Sequence, residues 1–195
     1  MRHCCCFRGA MSEGAAAAEP QKPEKPQLSA EQQAWRADPH YLGPINPTPQ
    51  VAVNRMLEVA GITKDDVIYD LGCNDGRVVV TAAKRYGARG VGVEIMDEAV
   101  VKANALVESE GVGDLVRIDK GDLLETDISD ATVVFIYLLP KATETIGAKL
   151  RSELRRGTRI MTYMFRLKGE FEPELQEVQS LSSTREDGKG VDTSA

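Results

Sequence analysis

From Val51 to Phe165 the chain switches its hydrophobic period again and again, and this alternation restricts the possible folds more than any other feature. VAVNRMLEVA (51–60) repeats its apolar residues at helical spacing and stops at Gly61. DVIYDL (66–71) predicts a strand, RVVVTAAKRY (77–86) a helix closed by Gly87, and GVGVEI (90–95) a strand. Residues 97–110 predict a helix with Asp97 as its cap and Gly111 at its end, and LVRID (115–119) a strand. ATVVFIYLL (131–139) predicts a long strand. A helix over 140–156 follows, opened by Pro140 and closed by Gly157, and TRIMTYMF (158–165) is the last clear strand. Several of these strands are apolar throughout, as strands covered on both faces are. The expected fold is therefore α/β: a doubly wound, mostly parallel, Rossmann-like sheet. Ligands in such sheets sit beyond the carboxyl ends of the strands. That points to residues 70–77, 94–97, 119–123 and 137–140.

The flanks have a different composition. Residues 1–28 are rich in Ala, Pro and charge and are expected to be disordered. Residues 29–50 are expected to hold a short helix capped by Ser29, then a segment with four prolines lying ahead of a domain over 51–170. Residues 171–195 are expected to be poorly ordered or truncated, with one poor strand at most over 170–178. The net charge of -6 gives no electrostatic reason to expect nucleic acid as a main partner. No apolar run reaches the ~20 residues that span a bilayer. Cys4, Cys5, Cys6 and Cys73 form no disulfide framework, so the chain reads as cytoplasmic. Arg2, His3 and Arg8 precede any acid, which keeps a mitochondrial or other organelle address open, and Met11 could be an alternative start. His3 and the cysteine triplet lack zinc spacing, and Cys73 reads as a small turn residue.

The strand over 66–71 runs into DLGCNDGR (70–77). Gly72 and Gly76 allow close backbone approach to a ligand, and a helix N-terminus follows. A P-loop would need GxxxxGK[ST], and residue 77 is Arg. A calcium loop counted from Asp70 would need glycine where Asp75 stands. The dinucleotide fingerprint would want glycines where the chain has Asn74 and Arg77. S-adenosylmethionine (SAM) has no phosphate and carries positive charge on its ammonium and sulfonium, so its loop needs acids. Asp70 could face the ammonium, and Glu94, at the end of the next strand, could accept from two ribose hydroxyls. Glu94 serves NAD equally well. Asp122, after the third strand, could accept from an adenine amino group, with Asp119 and Asp127 as rivals and Leu123 packing on purine or core.

VIYDLGCNDG, GVGVEI and the Gly121–Asp122 pair together resemble the successive motifs of class I, seven-stranded SAM-dependent methyltransferases. PINPTP ahead of the loop and YLLP after the fourth strand resemble, more narrowly, the small lysine methyltransferases of the adenine nucleotide translocase and the ATP synthase c subunit. The resemblance covers about residues 44–165 and implies SAM as cofactor, held by Thr48, Asp70, Gly72, Asn74, Gly76, Glu94 and Asp122, with a protein lysine as acceptor. Asn74 replaces the usual second loop glycine, and asparagine tolerates positive φ best among the other residues. The family sheet ends with two further strands, so the sheet here is expected to lack its last strand.

Tyr137 in YLLP is the candidate catalytic residue: its ring could hold an amine by cation–π attraction and its hydroxyl could orient the lone pair. The segment lacks the NPPY or DPPY head of enzymes that methylate nucleobase amines. Two rival readings stand beside this one: a truncated methyltransferase-like binding protein without activity, and an NAD-dependent oxidoreductase.

Overall fold

Alternating strands and helices build one sheet covered on both faces. The computed structural model describes residues 47–167. These lie in the compact unit Asp38–Ala195, and the expectations for residues 1–46 and 168–195 fall outside the described residues. In chain order the elements are α1 (Gln50–Val59), β1 (Val67–Leu71), α2 (Arg77–Tyr86), β2 (Arg89–Glu94), α3 (Asp97–Ser109), β3 (Val116–Lys120), β4 (Val133–Ile136), α4 (Pro140–Glu153) and β5 (Arg159–Thr162). The strand order is β3-β2-β1-β4-β5, and every described pairing is parallel. Order reverses between β1 and β4, which opens a crevice at their carboxyl ends.

Each central strand feeds two cores because successive side chains point to opposite faces. Ile68, Val133 and Phe135 share a cluster with Val53 and Leu57 of α1 and Val79 and Ala83 of α2. Tyr69, Leu71, Val134 and Ile136 share the other with Ile146 and Leu150 of α4. β1 and β4 are buried along their whole length, whereas β3 and β5, the edges of the described sheet, are partly exposed.

Several boundaries shift by a single residue, and four differences have an identifiable cause. β4 spans Val133–Ile136, not 131–139, because β1 ends at Leu71 and leaves no ladder partner beyond Ile136. β5 stops at Thr162, where the chain bends through Met164 at a φ of 63°. α4 ends at Glu153, before Gly157: Leu154 turns extended, with ψ 141°, and packs on the second core. Met96, not Asp97, caps α3, and the Asp97 carboxylate instead pairs with Lys120 of β3.

The glycines of β2 let two layers close on it. A Cβ at Gly92 would lie 2.7 Å from the Cys73 Sγ and 2.8 Å from the Ile118 Cδ1, both inside van der Waals contact. Gly92→Ala is therefore expected to cost roughly 1–3 kcal/mol in urea unfolding. Gly113→Ala, where an added Cβ meets nothing within 4 Å, is the control. Equal stability of the two variants would refute the close packing of the loop on β2.

Candidate functional site

Two buried acids bracket β1, and they differ in their company. Asp66, just before the strand, is 6% exposed. Its carboxylate accepts from the Thr132 hydroxyl at 2.7 Å and the Thr63 N–H at 2.8 Å, and it pairs with Arg159. Burial works against its charge, but those hydrogen bonds and the guanidinium outweigh it and hold the carboxyl below its ordinary range. This is a structural acid joining the amino ends of β1, β4 and β5.

Asp70, at the other end, is equally buried at 6% exposure. Burial, and then the charges of Glu94 and Asp75, push its carboxyl up to about 7. No contribution from a described residue lowers it. A buried acid with two acids beside it and no cation against it among the described residues is a site shaped for an external cation.

The loop after β1 wraps this acid. Gly72 and Cys73 both donate to the Val93 carbonyl, at 2.9 and 3.0 Å, and Gly76 donates to the Cys73 carbonyl at 2.9 Å. Gly72, Asn74 and Gly76 take φ values of 84°, 49° and 75°. Asn74 thus adopts the left-handed conformation that a glycine would have taken, as its residue type suggested. A Cβ at Gly76 would sit 3.2 Å from the Ala103 Cβ, and one at Gly72 would sit 3.4 Å from the Leu138 Cδ2. Cys73 is buried, and burial followed by the Asp70 and Glu94 charges raises its thiol well above the ordinary value, so it is a packing residue and not a nucleophile.

Glu94 is the hinge of the site. It is 7% exposed, its Oε2 accepts from the Asn74 N–H at 2.9 Å, and its Oε1 accepts from Ile95 at 2.9 Å and Met96 at 3.0 Å. One carboxylate thereby ties the β1 loop to the segment entering α3. The Gly121 N–H donates to the Glu94 carbonyl at 2.9 Å, which brings the turn after β3 alongside. There the Asp122 Oδ1 accepts from Leu124 at 2.8 Å and shapes the turn. Leu123 is buried in the second core. Of the rival acids, Asp119 pairs with Arg117 and Asp127 accepts from the Ser129 N–H.

Arg77 does more than the sequence suggested. It grips Asp75 through Nε at 2.9 Å and Nη2 at 2.5 Å, and its Nη1 donates to the Thr48 carbonyl at 3.1 Å. Asp75 is thus engaged by Arg77, and the PTP segment is held against the loop. The only hint in the sequence was the two-residue spacing of an acid and a base. Across the crevice, Tyr137 stands one residue past β4, half-buried, with its hydroxyl donating to the Met164 Sδ at 3.3 Å. Tyr163 and Met164 were not singled out by sequence. The sequence carried no signal for them, because TRIMTYMF reads as one strand through 165 and only the structure ends it at Thr162.

Residues 70–174 match the ANTKMT methyltransferase domain, more than half of the chain. The chain belongs to this methyltransferase family. It is 46% identical over 132 residues to a protein-lysine N-methyltransferase of Saccharolobus islandicus, covering 67% of this chain and 81% of that one. It is 28% identical over 122 residues to the Xenopus laevis lysine N-methyltransferase of the ATP synthase c subunit, with 63% of this chain and 53% of the relative covered. Among solved structures, the RNA methyltransferase of Salinibacter ruber in complex with S-adenosyl-L-homocysteine is 44% identical, with a TM-score of 0.67 over 69% of this chain and 87% of that one. The expected doubly wound methyltransferase fold, the dependence on SAM and the resemblance to the small lysine methyltransferases are borne out. The NAD-dependent alternative falls with them. A close backbone cradle, and a buried acid that no described residue compensates, suit a ligand carrying an ammonium and no phosphate.

Proposed function

We propose that this methyltransferase modifies the side-chain amine of a protein lysine. The observation that carries the reading is Tyr137, half-buried at the mouth of β4, in an apolar YLLP segment whose Leu138 rests on Gly72 of the cofactor loop. Two relatives described as lysine methyltransferases support it. One solved relative is described as an RNA methyltransferase, but the net charge of -6 here gives a polyanion little to bind.

The bound cofactor supplies an electrophilic methyl: the amine's lone pair forms the N–C bond as the C–S bond breaks, with the electron pair leaving on sulfur. The chain's own residues bind and orient. Asp70 would hold the cofactor's ammonium, and Glu94, already aimed by three backbone N–H groups, would accept from the ribose hydroxyls. Gly72, Asn74 and Gly76 would pass beneath the methionyl portion, Asp122 would face the adenine amino group, and Thr48 would close over the tail from a segment that Arg77 holds in place. Leu138 and Leu139 keep the acceptor side apolar, which favours the neutral amine that attack requires. Alignment of this kind is worth up to ~7–11 kcal/mol in ideal cases.

Radiolabelled SAM incubated with whole-cell extract is expected to label protein, with methyl-lysine found by mass spectrometry. Label that survives protease and is lost to ribonuclease would overturn the lysine reading in favour of RNA. Absence of any labelled product would favour the binding-protein alternative. We also place the enzyme in the cytoplasm. No helix among the described residues is long and apolar enough to cross a membrane. A tagged full-length chain that co-purifies with mitochondria would correct that.

A further inference from the structure

The chain turns sharply as it leaves β5, and the turn lies against Tyr137. β4 and β5 pair from Val133 opposite Arg159 to Ile136 opposite Thr162, so Tyr137 and Tyr163 each stand one residue past a strand. The Tyr163 N–H donates to the Ile136 carbonyl at 3.1 Å, which carries the register one step beyond the ladder. The two rings meet edge to face, centroids 4.9 Å apart and planes at 80°. Phe165 then donates back to the Tyr163 carbonyl at 2.8 Å, around Met164 with its φ of 63°. A hydrogen bond from residue i+2 to residue i around a positive φ is the rare, strained form of the γ-turn. Methionine gains nothing locally from that conformation, since its Cβ disfavours it. Nor does packing compensate, because Met164 is 68% exposed. What the turn does accomplish is to set the Met164 Sδ against the Tyr137 hydroxyl. Strain held at the mouth of a site is a pointer to function.

We propose that Tyr163 and Met164 are the second half of the acceptor site, Tyr163 as a second aromatic wall for the amine and Met164 as the positioning residue for the Tyr137 hydroxyl. This rests on the lysine reading above. A tyrosine hydroxyl has one proton and two lone pairs. With the proton directed to the thioether, the lone pairs are left to accept an N–H of the substrate amine. An amine held through its N–H keeps its own lone pair free for in-line attack. Two nearly perpendicular rings also attract a cation from two sides, and the attraction extends to methylated ammonium, which has fewer N–H groups to offer a hydrogen bond. The corner therefore retains a partly methylated lysine for another round. Each round forms one N–C bond and breaks one C–S bond, and the amine sheds one proton to solvent before it can attack again. Tyr163 and Met164 set how many methyls are added, without contributing to the cofactor cradle.

Tyr163→Ala and Met164→Leu, made in the full chain, test this against the lysine substrate that the wild type labels. Calorimetry with S-adenosylhomocysteine is expected to give affinities within about twofold of wild type for both, because the cradle lies on other elements. Tyr163→Ala is expected to raise KM roughly tenfold and to shift product toward monomethyl-lysine. Met164→Leu keeps apolar bulk but removes the sulfur acceptor, and is expected to lower kcat about threefold with KM near wild type. Wild-type values of KM, kcat and methyl distribution in both variants would overturn the corner while leaving the lysine reading intact. Loss of homocysteine-ligand affinity would move these residues into the cofactor half and overturn it as well. If the wild type labels no lysine, the two proposals fall together.

Discussion

Between about pH 5 and pH 7 the affinity for SAM rises roughly fiftyfold in all, and Asp70→Asn abolishes the rise. The cause is the carboxyl that burial, Glu94 and Asp75 push up to about 7. A cationic ligand favours the ionised form, so below that value binding must expel a proton, and above it no proton is needed. Calorimetry in two buffers of different ionisation enthalpy should find close to one proton released at about pH 6 and roughly a quarter of one at about pH 7.5. A pH-independent affinity across this window would remove Asp70 from the ammonium role. The empty protein should show the opposite trend in stability. The folded carboxyl titrates above the unfolded one, whose ordinary value is 3.8, so the unfolded chain ionises first as pH rises. At ~1.4 kcal/mol per pH unit, stability falls from about pH 4 to about pH 7 and then stays lower by roughly 4 kcal/mol. Asp70→Asn should flatten that fall, so the residue proposed to hold the cofactor's ammonium is one that weakens the unliganded fold.

Glu94→Ala should be the most damaging single change in the site. It removes the acceptor of three backbone N–H groups, those of Asn74, Ile95 and Met96. Charged hydrogen bonds each contribute ~1.5–3 kcal/mol, and water entering the gap recovers part of this, so a loss of about 3 kcal/mol in urea unfolding is expected. SAM affinity should fall at least tenfold, because the proposed ribose acceptor and the loop tie are lost together. Glu94→Gln separates these effects. Its single carbonyl oxygen can still serve Ile95 and Met96, but its NH2 then faces the Asn74 N–H, donor against donor. That variant should keep most of its stability and still bind SAM weakly. Wild-type SAM affinity in Glu94→Gln would show that the carboxylate is structural only.

The order of elements was legible because each one carries a local signal. RVVVTAAKRY occupies α2 over the very residues, Arg77–Tyr86, that its period predicts, and Gly87 closes it with a φ of 70°. The loop was equally legible, since glycine, asparagine and acids have few uses at a strand end. The errors lay where a boundary depends on a partner. ATVVFIYLL reads as one apolar strand, yet only four residues find a ladder, because β1 has already turned at Gly72. The run could not reveal that its last three residues had left the sheet to line the crevice. In the sequence Arg77 stands out only as a missing glycine, whereas its guanidinium reaches a carbonyl 29 residues away.

By itself, then, the sequence determined the alternating architecture, the carboxyl ends of the strands as the working face, and an acid-lined glycine loop suited to a phosphate-free cationic cofactor. All of these follow from side-chain period and from the conformations that few residue types tolerate. Only the tertiary structure decided which strands lie side by side, and so which end-residues meet. It gave Asp66 an arginine 93 residues away while giving Asp70 none among the described residues, and it set Tyr163 against Tyr137. Strand order minimises exposed apolar surface over the whole sheet, and that sum cannot be read from any one segment.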